Sequence, residues 1–129
     1  WEKWVYELNK IFFITVKKII FEDFSKVRII IGTILEAELN TKANKPAYIL
    51  KIDFGNYGIK TSSAQITKNY SKDNLIGMQI SAVVNFPIKK IAGIKSEVLV
   101  LGVISDQKDV ILLTPTETVE EGSLVCWNF

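Results

Sequence analysis

From Val27 onward the side chains keep a period of two, the repeat of a strand rather than a helix. Ile29, Ile31, Thr33 and Leu35 alternate with Ile30, Gly32 and Ile34, so the first predicted strand is β-branched and, near its start, apolar on both faces. Gly32 in its middle predicts a bend or bulge of the kind barrels use to turn a corner. A polar connection over 40–46 leads to a second strand. There Tyr48, Leu50, Ile52 and Phe54 face one way as core residues, with Lys51 and Asp53 on the other side. Gly55-Asn56-Tyr57-Gly58 reads as the hairpin turn into a strand over 59–62. After a mixed stretch over 64–76, with a short helix expected, Met78, Ile80, Ala82, Val84 and Phe86 alternate up to Pro87. Strands over 97–104 and 110–114 pair across a turn at 105–109. Five or six short strands with one helical interruption predict an all-β protein, a five-stranded OB-fold barrel with a short helical insertion.

The first twenty residues follow another rule. Trp1, Trp4, Val5, Leu8, Ile11 and Phe12 recur at helical spacing, which predicts an added N-terminal amphipathic segment over 1–20 that docks on the domain or on a second copy. The barrel and a C-terminal tail then occupy 21–129 as one domain, the size 129 residues allow. The apolar run over 11–16 is far short of the roughly 20 residues of a membrane span. It also lacks the basic leader and small-residue cleavage site of a signal peptide. Cys126 is the sole cysteine, which excludes an internal disulfide and a multi-cysteine zinc site. A cytoplasmic protein is expected. The mean hydropathy of +0.21 suggests a surface partly covered by a partner.

Charge is segregated along the chain although the net charge is only +2. Residues 41–95 carry nine lysines against two acids, while 96–129 carry six acids against one lysine. A basic middle on a nearly neutral protein is a local footprint for a polyanion, against the alternative of a solvated lysine-rich face.

Catalysis finds little support. There is no histidine, so the usual general base and commonest metal ligand are missing. Ser62 and Ser63 would need Lys60 as base. Lys60 and Ser62 share a strand face at i, i+2, but a lysine in a basic, polar segment keeps its proton. Asp53 and Asp73 stand alone among lysines, and the acidic C-terminal third has no metal-ligand spacing. No metal and no cofactor are expected, and the chain is not expected to be an enzyme. Nucleic-acid binding fits better. Lysines hold phosphates without reading sequence. Phe86, Tyr57 and Tyr70 are candidates to stack bases, and Asn85, Gln65, Ser62 and Ser63 to hydrogen-bond ribose, phosphate or base edges. Two of these have structural alternatives: Phe86 continues the apolar face of its strand toward the core, and Asn85 can simply turn the chain.

Three blocks carry a family resemblance: Ser62-Ser63-Ala64-Gln65-Ile66-Thr67, Val83-Val84-Asn85-Phe86-Pro87, and the run from Ile91-Ala92-Gly93-Ile94-Lys95-Ser96-Glu97 to Gly102. From about Phe21 to about Gly122 the chain resembles CsaA, a branch of the dimeric tRNA-binding OB-fold domains that also includes C-terminal appendages of bacterial methionyl-tRNA synthetases. The resemblance implies an OB-fold homodimer that binds tRNA, with a chaperone role toward unfolded preproteins and the export machinery as the alternative. It implies Lys60, Ser62, Ser63, Gln65, Asn85, Lys89, Lys90, Lys95 and Ser96 as the ligand-facing set, to which the stacking argument adds Phe86. Ile88 stands where the family usually has proline. Arg28-Ile29-Ile30-Ile31-Gly32 replaces the family's usual Asp-Ile-Arg-Val-Gly, so no contact of that acid or arginine carries over.

Overall fold

The computed structural model describes residues 16–107 and 109–127. The amphipathic segment expected over 1–20 lies outside them, apart from residues 16–20, which are exposed. A short helix α1 (Phe21–Ser25) precedes β1 (Ile29–Leu39). β2 (Tyr48–Asp53), a 3-10 turn (Gly55–Tyr57), β3 (Ile59–Ala64), α2 (Lys72–Leu75) and β4 (Gln79–Val83) follow. Next come β5 (Lys89–Ile91), β6 (Ile94–Ser96), β7 (Leu99–Val100), β8 (Gly102–Ile104) and β9 (Val110–Leu112). The main sheet is antiparallel and five-stranded, in the order β3-β2-β1-β4-β7, and curls into a nearly closed OB-like barrel. β5 with β6, and β8 with β9, form two separate hairpins.

Alternation places the core as expected. Ile30, Ile34, Leu50, Ile52, Phe54 and Ile80 are all essentially without exposure, and Tyr48 keeps 7%. The bulge expected at Gly32 lies instead two residues on, where the β1–β2 register shifts between Ile34 and Glu36. Gly32 has another task. A Cβ there would stand 2.6 Å from Ile52 Cγ2 and 2.6 Å from the Phe54 ring, so the missing side chain is what lets the ring pack onto the β1 backbone.

Two elements differ from the sequence reading. The strand expected to run through Phe86 stops at Val83, because Asn85 turns the chain. Its Oδ1 accepts from the Arg28 N–H at 2.9 Å, and its Nδ2 donates to the Lys26 carbonyl at 2.6 Å. The 97–104 strand is divided between β7 and β8, while its expected pairing with 110–112 is present.

The C-terminal tail is part of the barrel wall. Where β2 has left β1, residues 122–125 take over that edge: Val125 N–H donates to Ile29 C=O, Ile31 N–H to Ser123 C=O, and Gly122 N–H to Ile31 C=O. Gln79 holds the approach. Its Nε2 donates to Val119 C=O at 2.7 Å and to Thr33 Oγ1 at 3.2 Å, and its Oε1 accepts from Val119 N–H at 3.0 Å. Gln79→Leu leaves Val119's peptide groups without these partners and should cost about 1–2 kcal/mol. Amide exchange at Ile31 and Val125 should quicken while that of β2–β3 stays unchanged. Uniform exchange across the barrel would show that Gln79 does not anchor the tail.

Candidate nucleic-acid interface

The β5–β6 hairpin turns through Ala92 (φ 47°) and Gly93 (φ 83°), the positive-φ pair of a two-residue hairpin connection. Alanine in this region is strained by its Cβ, at about 1 kcal/mol. The turn is held from outside: the largely buried Asn40 donates from Nδ2 to Ala92 C=O at 3.3 Å and accepts the Lys42 N–H at 3.1 Å on Oδ1. That arrangement lays the Lys42 stem beside Gly93, with Cδ 3.7 Å from where a Cβ on the glycine would be. Ala92→Gly should therefore raise stability by about 0.5 kcal/mol. A lower urea midpoint in that variant would contradict a strained turn.

The hairpin register divides its lysines. Lys90 stands directly across from Lys95, while Lys89 faces Ser96 one rung away and Ile91 faces Ile94. Lys90 and Lys95 thus share one exposed face, and Lys89, Ile91 and Ser96 the other. Like charges directly opposite one another are destabilising by a few tenths of a kcal/mol or more.

On the second face lies a groove of about 300 Å³, where the barrel fails to close by a regular strand ladder. β3 meets the segment 96–98 across a seam made largely by side chains. Glu97 N–H donates to Thr61 C=O at 2.8 Å, and Thr61 N–H donates back to Glu97 Oε1 at 3.1 Å. Ser62 Oγ donates to Val98 C=O at 3.2 Å, and Ser63 N–H donates to Ser96 Oγ at 3.2 Å. Phe86, Pro87, Ile91, Leu99 and Leu101 wall the groove, with Ser63, Gln65 and Lys89 among its polar lining.

Folding redistributes the charge. Four of the nine lysines of 41–95 meet acids from outside that stretch: Lys51 with Glu36 (3.6 Å), Lys60 with Glu97 (3.9 Å), Lys68 with Asp109 (3.6 Å) and Lys72 with Glu38 (2.8 Å). The Glu38 carboxylate raises the Lys72 pKa above the ordinary lysine value, chiefly through the hydrogen bond. Lys42, Lys45, Lys90 and Lys95 have no ion pair among the described residues. They lie on the β5–β6 hairpin and the β1–β2 loop, and the hairpin turn and the loop meet at the Asn40–Ala92 hydrogen bond.

Of the ten residues singled out in the sequence, Ser62, Ser63, Gln65, Phe86, Lys89 and Ser96 line the groove. Their roles differ. Ser62 and Ser96 are 1% and 8% exposed, and their hydroxyls belong to the seam, so they shape the wall. Phe86 is 55% exposed, which corrects the core reading that alternation alone supports: its strand ends three residues earlier. Asn85 clamps the backbone with both ends of its amide, the chain-turning alternative. Lys60 is neutralised by Glu97, and Lys90 and Lys95 lie on the outer hairpin face. Tyr70 is committed elsewhere, since its hydroxyl accepts from Leu112 N–H at 3.0 Å and its ring packs on the core. Tyr57 sits at the far end of β3 from Ser63. Ile30, at the position of the family's arginine, is wholly buried. Lys42 is the residue that sequence reasoning counted but did not place; only the Asn40–Ala92 contact brings it to the hairpin.

Among the described residues no group of three or more His, Cys, Asp or Glu side chains is placed to hold a metal ion, and no helix is long and apolar enough to cross a membrane. The family model described as "Putative tRNA binding domain" matches residues 29–124. The methionine–tRNA ligase of Flavobacterium johnsoniae is 34% identical over 105 residues, covering 81% of this chain and 14% of that protein. The methionine–tRNA ligase of Porphyromonas gingivalis strain ATCC 33277 is 36% identical over 107 residues, 83% of this chain and 15% of that protein. The chain therefore spans about one seventh of these relatives. Among solved structures, chaperone CsaA of Bacillus anthracis strain Ames superposes with a TM-score of 0.81 at 50% identity, covering 85% of this chain and all of that one. The CsaA chaperone protein of Picrophilus torridus gives 0.79 at 53% identity, covering 84% of this chain and all of the other. With the match running from the first residue of β1 to the tail that closes its edge, the chain belongs to the tRNA-binding domain family, in its CsaA-like branch.

Proposed function

We propose that the chain is a non-catalytic, cytoplasmic tRNA-binding protein that grips structured RNA through a lysine-bearing face of a homodimer. The observation that carries this reading is the Lys90–Lys95 rung, two like charges held opposite one another without an acid partner among the described residues. A polyanion relieves that repulsion, and Lys42 and Lys45 extend the field along the neighbouring loop. Contacts of this kind position an RNA by phosphate and shape rather than by sequence. Dimerisation would place two such faces side by side. The exposed apolar end, where the Phe21 and Trp127 rings meet edge to face at 5.1 Å, suits such a contact.

The test is binding of fluorescent total tRNA, followed by anisotropy from low to moderate salt. The affinity is expected to fall linearly on logarithmic axes, with a slope that reports the phosphates engaged. No binding at low salt would reject the reading. The second reading, an export chaperone for unfolded preproteins, is favoured by the apolar groove walls and by the CsaA relatives. Its signature is binding of an unfolded polypeptide that salt leaves largely unchanged.

A further inference from the structure

The groove and the outer hairpin face are different surfaces, and lysine contacts to phosphate leave the groove without an occupant. We infer that it seats one unstacked base from a single-stranded stretch of the bound RNA. This deepens the RNA reading and rests on it. The walls are apolar, and Phe86, a lining residue that is 55% exposed, offers its ring for stacking. A volume of about 300 Å³ lies at the small end of ligand pockets, suited to one ring system rather than a helix. The hydroxyl of Ser63 and the amide of Gln65 also line the space. Neither makes a hydrogen bond among the described residues, and between them they offer donors and acceptors to a base edge.

Charge selects the class of occupant. Lys90 and Lys95 lie on the reverse of the two short strands whose other face borders the groove, so a chain of phosphates leaving the groove across the hairpin meets their cations. The acid in the lining does not oppose this, because Glu97 is turned to the Thr61 N–H and lies 3.9 Å from Lys60. An unfolded peptide would fill the apolar walls equally well but would not use the Lys90–Lys95 pair.

The experiment uses the full chain and an RNA pentamer of four uridines with a central 2-aminopurine. A blunt RNA duplex and total tRNA serve for comparison. Wild-type protein is expected to quench the 2-aminopurine on binding. Phe86→Leu should weaken pentamer binding about tenfold with its salt slope unchanged. Lys90→Ala should lower the slope by about 0.7 and leave the quenching at saturation intact. Gln65→Ala, at an exposed position, supplies a second variant and should weaken the pentamer more than the duplex. If tRNA binds with the expected salt dependence but Phe86→Leu and Gln65→Ala bind the pentamer normally and no quenching occurs, the base seat is overturned and the RNA reading stands. If an unfolded polypeptide loses binding in Phe86→Leu while the pentamer does not, the groove belongs to polypeptide and the inference falls. If neither pentamer nor tRNA binds at low salt, both readings fall.

Discussion

Phe54→Ala is expected to lower stability by about 4 kcal/mol, the range for removing a fully buried aromatic ring. For a domain of this size that corresponds to a fall in Tm of about 15 °C. The ring has no exposure and lies against the Gly32 backbone. Collapse around the cavity is limited because Ile52, beside it in the β2 wall, is tied into ladders on both sides. The converse change, Gly32→Ala, should cost about 2–3 kcal/mol, since the new Cβ meets the ring and Ile52 Cγ2 at 2.6 Å. The two changes address one contact. The double variant should therefore be less damaged than the sum of the singles, by about 1 kcal/mol. Strict additivity, or a neutral Gly32→Ala, would mean that this approach does not limit the packing of the barrel.

Lys90→Ala with Lys95→Ala should weaken tRNA binding steeply while the fold gains slightly. Removing two cations that face phosphates would reduce the logarithmic salt slope by about 1.5, with the largest drop in affinity at low salt. Relieving the repulsion between directly opposed positions should raise the unfolding free energy by a few tenths of a kcal/mol. The opposite signs separate a binding role from a structural one. Lys51→Ala with Lys72→Ala is the matched control, because these lysines already face Glu36 and Glu38. An equal drop in tRNA affinity in the two double variants would mean that RNA responds to overall charge and not to the hairpin.

Much of the barrel was legible because a strand writes its orientation into every second residue. Ile52, Phe54 and Ile80 needed no tertiary information to be placed inside, and Gly55 to Gly58 none to be placed at a turn. The reading failed where a side chain, rather than a pattern, decides the backbone. Val84 and Phe86 continue the alternation of β4, yet the Asn85 amide binds the backbone of Lys26 and Arg28 and ends the strand. Likewise the last residues looked like a tail because their pairing partner, β1, lies some ninety positions earlier in the chain.

Strand period, barrel class, inward faces and the excess of lysine over 41–95 are local properties of composition and spacing, and the chain alone is enough to read them. Which lysines remain as a field for a ligand depends on contacts that exist only after folding. Glu36, Glu38, Glu97 and Asp109 lie outside the basic stretch and cancel four of its charges, because the ladders and seams bring them within ion-pair distance. The same pairing leaves Lys90 across from Lys95 and sets Lys42 beside their hairpin turn. Coulomb interactions depend on separation in space, and folding sets those separations independently of distance along the chain.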